Sequence, residues 1–142
     1  MLLAAPATEA ITLLKNQDLP ELVRESKRAV LGTVSSVRYG FDERRLHSTW
    51  VTLQVEEALY GDSLPQIGET LTIKMYGSPE PLEDGSRLFL DGTPRYAVGE
   101  AYLLLLIGES EWGFTNTAGL FQGAFRLDAS GGVIGVTASD PI

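Results

Sequence analysis

The stretch STWVTLQVEEALYGD, residues 48–62, indicates the fold because polar and apolar residues take turns along it. A period of two sends successive side chains to opposite faces of a β-strand. One face of this strand carries His47, Thr49, Val51, Leu53 and Val55. Trp50 falls on the other face, among polar neighbours. We expect a strand with one face in an apolar core, whereas the stretch EEALYGD is by itself neither clearly strand nor clearly turn.

Six further segments have the composition of short strands bounded by turn residues. They are AVLGTVSSVRYG (29–40), ETLTIKMYG (69–77), GEAYLLLLIG (99–108), EWGFTNTAG (111–119), QGAFRLD (122–128) and GVIGVTA (132–138). The segment FDERR (41–45) predicts a polar hairpin connection, and Gly32 with the serine pair after it predicts a bulge. Residues 103–107 are apolar at every position, which predicts a central strand covered on both faces.

The segment KNQDLPELVRESKRA, residues 15–29, predicts a short helix ahead of these strands. Asp18 can cap the first turn, and Glu21 follows three residues later as in a capping box. The apolar stripe of this helix would be Leu19, Leu22 and Val23. Because the stripe needs a surface to cover, we expect it to pack over Trp50.

These elements predict a mostly β fold, namely a small OB-like antiparallel β-barrel with a short N-terminal helix. Residues 1–10 are expected to be the remnant of a signal peptide or a disordered tail, and residues 11–142 a single β-barrel domain. A chain of 142 residues buries roughly 70% of the surface that its unfolded form exposes, so a stable core needs no metal or disulfide.

The net charge of −8 is unevenly placed. Residues 1–45 hold 7 bases and 6 acids, whereas residues 46–142 hold 4 bases and 13 acids. Such an acidic body repels phosphate backbones, so no nucleic-acid partner is expected. The absence of cysteine excludes disulfides, thiolate zinc sites and thiol nucleophiles. The longest apolar run, AYLLLLI, has 7 residues against the roughly 20 of a spanning helix, so no membrane span is expected.

Candidate catalytic and metal-binding residues are few. His47 is the single histidine, and no serine motif or phosphate-binding loop accompanies it. Acidic residues crowd two loops, at Glu80, Glu83 and Asp84 and at Glu109 and Glu111. Neither loop has the D-x-D-x-D-G spacing of a calcium site, so we expect solvated loops. The sequence therefore predicts no catalytic residue, no metal and no cofactor, and a protein that is not an enzyme.

Five segments together resemble a broad family of small exported bacterial β-barrel domains of unknown function. They are LPELVRESKRAVLGTVSSV, STWVTLQVEEALYGD, IGETLTIKMYG, TPRYAVGEAYLLLLIG and GLFQGAFRL, and they run from residue 19 to residue 127. In that family the strand equivalent to residues 48–62 closes at its glycine, here Gly61. The plan is also similar to the OB-like domain of netrins and tissue inhibitors of metalloproteinases. Those inhibitors act through an N-terminal cysteine, which this chain lacks.

Three aromatic residues are candidate binding residues: Trp50, Tyr60 and Tyr76. An exposed tryptophan is a natural platform for a partner. Tyr60 stands where the family usually has lysine, and Tyr76 with Gly77 stands where it has a glycine pair.

The resemblance implies an uncharacterised exported bacterial domain, located in the periplasm or secreted. The start MLLAAPATEA is similar to the last part of a signal peptide, so we expect an in-frame extension upstream. We predict a non-catalytic module that binds an unknown protein or small ligand. Two alternatives stay open: a protease-inhibitor-like domain, and a hydrolase that uses His47 as its base.

Overall fold

A computed structural model of the chain describes residues 18–61, 64–128, 130 and 132–136. Residues 1–10, the expected signal remnant or tail, lie outside these residues. The one helix described, α1, spans Leu19–Glu25. No helix in the described part of the chain is long and apolar enough to cross a membrane.

Six antiparallel strands form one sheet in the order β3-β2-β1-β4-β5-β6. The strands are β1 (Arg28–Phe41), β2 (His47–Tyr60), β3 (Thr70–Tyr76), β4 (Ala101–Leu106), β5 (Ala124–Leu127) and β6 (Val133–Val136). A 3-10 turn, Leu120–Gly123, precedes β5. The mostly β antiparallel fold with a short N-terminal helix is therefore confirmed.

The described sheet is open, with β3 and β6 as its edge strands. Residues 111–119 do not form the strand that the sequence predicts. Instead they make two isolated bridges, from Phe114 to Lys74 of β3 and from Thr117 to Leu106 of β4. This irregular segment lies against both strands. Closure into an OB-like barrel by continuous strand pairing is not shown, and the barrel stays a prediction.

The hairpin of β1 and β2 is the longest element of the sheet, with 14 residues in each strand. Its turn is the predicted polar connection. The carboxylate of Asp42 accepts from the amides of Arg44 at 2.8 Å and Leu46 at 2.9 Å. Register shifts occur at Gly32 and next to Ser35, as the glycine and the serine pair predict. A Cβ atom at Gly32 would lie 2.7 Å from the Gln54 carbonyl oxygen, so this bulge requires glycine.

The main core lies on one face of β1 to β4. Its buried apolar side chains alternate along β2 and β3 as predicted, with Val51, Leu53 and Val55 on β2 and Leu71, Ile73 and Met75 on β3. Leu104 and Leu106 of β4 join them. Full burial of each such side chain contributes about 1.5–3 kcal/mol. The period-two pattern of β2 and β3 is confirmed, because the buried apolar side chains of these two strands lie on one face.

A second, smaller core covers the other face of β4. Leu105 packs there with Leu22 of α1, Ala29 and Ala118, and Phe125 lies against this cluster. Both faces of the apolar run are therefore covered, as predicted. The sequence also predicts that the segment around Phe121 covers this face, but the side chain of Phe121 is outside the described part of the structure.

The helix α1 begins with the predicted capping box. The Glu21 amide donates to Asp18 at 3.0 Å, and the Asp18 amide donates to the Glu21 carboxylate at 3.1 Å. The predicted three-residue stripe is wrong, because only Leu22 is buried and Leu19 is 56% exposed. A helix of 7 residues makes two turns, so it presents little more than one position to the sheet.

Candidate functional site

The outer face of β1, β2 and β3 carries a row of basic and aromatic side chains. The strand register places Arg38 opposite Trp50, and Trp50 opposite Lys74. The inward neighbours of these residues fill the core, so this row faces away from it. The three side chains thus cross three strands in one line.

Trp50 is covered by an arginine and not by the helix. The guanidinium of Arg38 lies 4.0 Å from the centre of the indole ring. Gly40, on the same strand as Arg38, lies next to the ring, where a Cβ atom would be in ordinary van der Waals contact with Trp50 Cζ3 at 3.5 Å. The expectation that α1 packs over Trp50 is wrong, because Leu22 of α1 packs in the cluster with Leu105 of β4 instead. Trp50 stays partly exposed.

Lys74 anchors the third position of the row. Its ammonium group donates to the buried carboxylate of Asp42 at 2.9 Å and to the Trp112 carbonyl oxygen at 3.2 Å. It also lies 4.4 Å from the centre of the Phe114 ring. Burial raises the pKa of Asp42, but the hydrogen bonds from Lys74 and from the Leu46 amide outweigh this and hold the pKa below its ordinary value.

Further aromatic residues extend the row at the side of β3. The Arg44 guanidinium lies 5.0 Å from the centre of the exposed Trp112 ring. The rings of Tyr76 and Phe114 meet edge to face, with their centres 5.5 Å apart. We call this surface the aromatic–basic face. It consists of Arg38, Arg44, Trp50, Lys74, Tyr76, Trp112 and Phe114.

A row of hydroxyl groups adjoins this face. Ser36, Thr52 and Thr72 stand opposite one another one step along the same three strands. The Thr52 and Thr72 hydroxyls are 2.9 Å apart and share a hydrogen bond. These short polar side chains leave the surface beside the aromatic–basic face flat and rich in hydrogen-bonding groups.

Of the three predicted binding residues, the structure brings two together. Trp50 and Tyr76 both belong to the aromatic–basic face, through Lys74 and Phe114. Tyr60 lies at the far end of β2 and is partly exposed. Its hydroxyl forms a short hydrogen bond with the hydroxyl of Ser26, the residue that ends α1. Tyr60 therefore fastens the helix to the sheet.

His47 forms a hydrogen-bonded chain that sequence reasoning did not find. Its Nε2 atom lies 2.8 Å from the Ser86 hydroxyl, which donates in turn to Asp84 at 2.5 Å. The hydrogen bonds from the Ser86 hydroxyl and amide hold the pKa of Asp84 below its ordinary value. The Ser86 hydroxyl has a single proton and donates it to Asp84, so this proton is not directed at His47. This order is not that of a nucleophilic triad.

A narrow cleft runs beneath the loop after β3 and is lined by Tyr39, Met75, Phe89 and Thr93 among others. The Thr93 hydroxyl is buried and has no hydrogen-bond partner among the described residues. Burial raises the pKa of Tyr39. The free space of about 10 Å³ is close to the minimum for one water molecule, so the cleft has no room for a larger ligand in this conformation.

The two acidic loops are tied to neighbouring groups. Glu80 pairs with Arg95 at 3.3 Å, and Glu109 pairs with Arg28 at 3.5 Å. Within the described residues, no three or more His, Cys, Asp or Glu side chains come together in a way that could hold a metal ion.

Sequence reasoning missed five members of the site: Arg38, Arg44, Lys74, Trp112 and Phe114. The signal for Arg38 was present, because the hairpin turn at residues 42–46 fixes the register of β1 on β2. Counting outward from that turn pairs position 38 with position 50. Trp112 and Phe114 carry no comparable signal, since an irregular segment brings them to β3.

The comparisons with known proteins identify no relative. No family model matches the chain, and neither a curated protein nor a solved structure matches it. The resemblance to small exported bacterial domains therefore stays a prediction.

Proposed function

We propose that this chain is a non-catalytic binding module and that the aromatic–basic face is its binding surface. The single observation that carries the proposal is the Arg38–Trp50 stack, 4.0 Å from guanidinium to ring centre, on the outer face of the sheet. Tryptophan and arginine are the residues that most often dominate binding energy at protein interfaces. Here both stay accessible, because the helix packs elsewhere.

The remaining parts of the face suit recognition more than catalysis. Lys74 is neutralised by Asp42, so it positions the surrounding rings and is not a free acid or base. Rigid aromatic side chains offer large contact areas at low cost in conformational entropy. The neighbouring hydroxyl row supplies hydrogen bonds without charge.

A screen of peptide and glycan arrays with the purified protein tests this proposal. Ligands that bind the native chain should be lost with Trp50→Ser and kept with Val98→Ser, which changes an exposed apolar residue in the loop before β4 that is not part of the aromatic–basic face. Near-ultraviolet circular dichroism of both variants checks that the fold is intact. Ligands that bind Trp50→Ser as well as the native chain would place the binding surface elsewhere.

A hydrolase that uses His47 is the second candidate, favoured by the 2.8 Å contact of its ring with the Ser86 hydroxyl. The order of the hydrogen bonds argues against it, since the hydroxyl donates to Asp84. We expect His47→Ala and Ser86→Ala to leave any measured activity unchanged. Turnover in a broad hydrolase screen that disappears in both variants would reverse this choice.

The place of action that we propose is extracytoplasmic, on the strength of the start MLLAAPATEA and the segment resemblance. Fractionation of cells that make the protein from its chromosomal gene tests this, with the protein expected outside the cytosol. A protease-inhibitor role rests on architecture alone, and no contact in the described structure favours it.

A further inference from the structure

Arg38 differs from the other cations of the aromatic–basic face in having no ion pair. Lys74 contacts Asp42 at 2.9 Å, and Arg44 contacts Glu43 at 2.9 Å. Among the described residues, no carboxylate lies within ion-pair distance of Arg38. Arg38 is thus an exposed cation without an ion pair among the described residues, although the chain has a net charge of −8.

The open cation is also held in place. The Arg38 Cζ atom lies 4.0 Å from the centre of the Trp50 ring, and this cation–π contact favours one position of the guanidinium over the ring. A guanidinium presents a fork of N–H groups whose spacing matches the two oxygens of a carboxylate. Because the side chain is already ordered, less conformational entropy is lost when such a pair forms.

The negative charge of the chain limits which anionic ligands could bind at Arg38. Long polyanions are repelled by the acidic body, as the charge of residues 46–142 indicates. A single carboxylate among neutral groups avoids this repulsion. The hydroxyl row of Ser36, Thr52 and Thr72 beside the stack suits the backbone and small polar side chains of a peptide.

We propose that the Arg38–Trp50 stack receives a glutamate or aspartate side chain from an otherwise neutral segment of a partner protein. This inference rests on the proposed function, since it names the partner chemistry of the same face. The carboxylate pairs with the guanidinium, and the residues on either side of it lie along the hydroxyl row.

The test uses the full chain and a pair of synthetic peptides, acetyl-Gly-Ser-Glu-Ser-Gly-amide and its glutamine counterpart. Titrations are followed by NMR at the side-chain Nε–H of Arg38 and the indole N–H of Trp50. The glutamate peptide should shift both signals in a saturable way, and the glutamine peptide should not. Arg38→Lys should weaken binding by about tenfold, because an ammonium group lacks the fork, and Arg38→Gln should abolish it.

Arg126→Gln is the matched control. Arg126 is an exposed arginine on β5 with no ion pair among the described residues, so its loss changes the net charge equally. Binding kept by Arg126→Gln and lost by Arg38→Gln supports a local site. Equal loss in both variants would show a general charge effect and overturn the inference.

Three further outcomes test this inference and show whether the proposed function stands or falls with it. If inorganic phosphate shifts the Arg38 signal at lower concentration than the peptide does, the protein-carboxylate assignment is overturned. If array ligands depend on Trp50 but bind Arg38→Gln normally, the carboxylate site is overturned while the binding face stands. If no ligand depends on Trp50, both proposals are overturned.

Discussion

Asp42 is the residue that ties the hairpin turn to the aromatic–basic face. One carboxylate oxygen accepts from two turn amides, and the other accepts from Lys74 on β3. The same group thus fixes the β1–β2 turn and the position of the lysine beneath Phe114. Removal of this charge leaves a buried ammonium group without its partner.

We predict that Asp42→Asn lowers the melting temperature at pH 7. The folded-state pKa lies below the ordinary value of 3.8, so the carboxylate contributes stability above that pH. The contribution is lost as the pH falls through the folded pKa. The melting temperatures of the native protein and the variant should therefore converge as the pH falls below 3.8, the ordinary pKa of the carboxyl group.

Glu43→Gln is the control for this measurement. Glu43 neighbours Asp42 in the turn and pairs with Arg44, but 72% of its side chain is exposed. Surface pairs contribute about 0–1 kcal/mol, so this variant should melt close to the native protein at every pH. A melting curve of Asp42→Asn that matches Glu43→Gln would mean that the Asp42–Lys74 pair is energetically neutral.

At the scale of elements, the end of β2 is closed by a glycine with two constraints. Gly61 has φ of 114°, a conformation that side chains rarely adopt. A Cβ atom there would also lie 2.6 Å from the Lys27 carbonyl oxygen, at the start of β1. Strand β2 thus ends at Tyr60, and the backbone of Gly61 passes close to the backbone of Lys27, which directly precedes β1.

We predict that Gly61→Ala lowers the free energy of unfolding more than Gly68→Ala does. Both glycines have positive φ, which costs an alanine about 1–2 kcal/mol, but a Cβ atom at Gly68 meets nothing within 4 Å. The difference between the two variants in urea denaturation measures the clash at Gly61. Equal losses would show that the backbone there moves aside freely.

Strand β4 contributes side chains to both hydrophobic cores, because its two faces pack into different clusters. Leu104 is 0% exposed in the main core, and Leu105 is 3% exposed in the cluster with α1. We predict that Leu104→Ala and Leu105→Ala each cost about 2–5 kcal/mol of the free energy of unfolding. Differential scanning calorimetry or urea titration measures the loss.

Ile107→Ala is the matched change for these two leucines, since Ile107 follows β4 directly and is 37% exposed. Its loss should be clearly smaller. A nearly neutral Leu105→Ala beside a severe Leu104→Ala would mean that α1 covers this face only loosely.

At the scale of the whole molecule, the charge balance governs solubility. The net charge is −8 at pH 7, and the isoelectric point of the sequence is near 4.6. Proteins with little net charge associate more readily, because mutual repulsion is lost. We therefore expect the acidic charge to oppose self-association at neutral pH.

We predict a turbidity maximum near pH 4.6 in a pH series at low salt. The double variant Glu57→Lys and Glu83→Lys changes two exposed side chains and brings the net charge from −8 to −4. Its turbidity maximum should move to higher pH. An unchanged maximum would mean that partial unfolding, and not net charge, drives the association.

Several features follow from local sequence and are found as predicted. The period of two on β2 and β3 places the core residues, because adjacent side chains of a strand must point to opposite faces. The capping box at Asp18 and the turn at Asp42 follow from side chains that bond to nearby backbone amides. The all-apolar run of β4 predicted cover on both faces.

Only the tertiary structure decides which surfaces meet. The sequence shows that Leu22 needs a covering surface, but not that this surface is Leu105 and leaves Trp50 to Arg38. The segment with Trp112 and Phe114 reaches β3 through single bridges, which have no periodic pattern to predict them. Likewise, Ser86 meets His47 because a loop folds back over 39 positions. Hydrogen bonds between a side chain and nearby backbone amides depend only on residues close in sequence, so they can be predicted from it. The long-range contacts depend on how the whole chain packs.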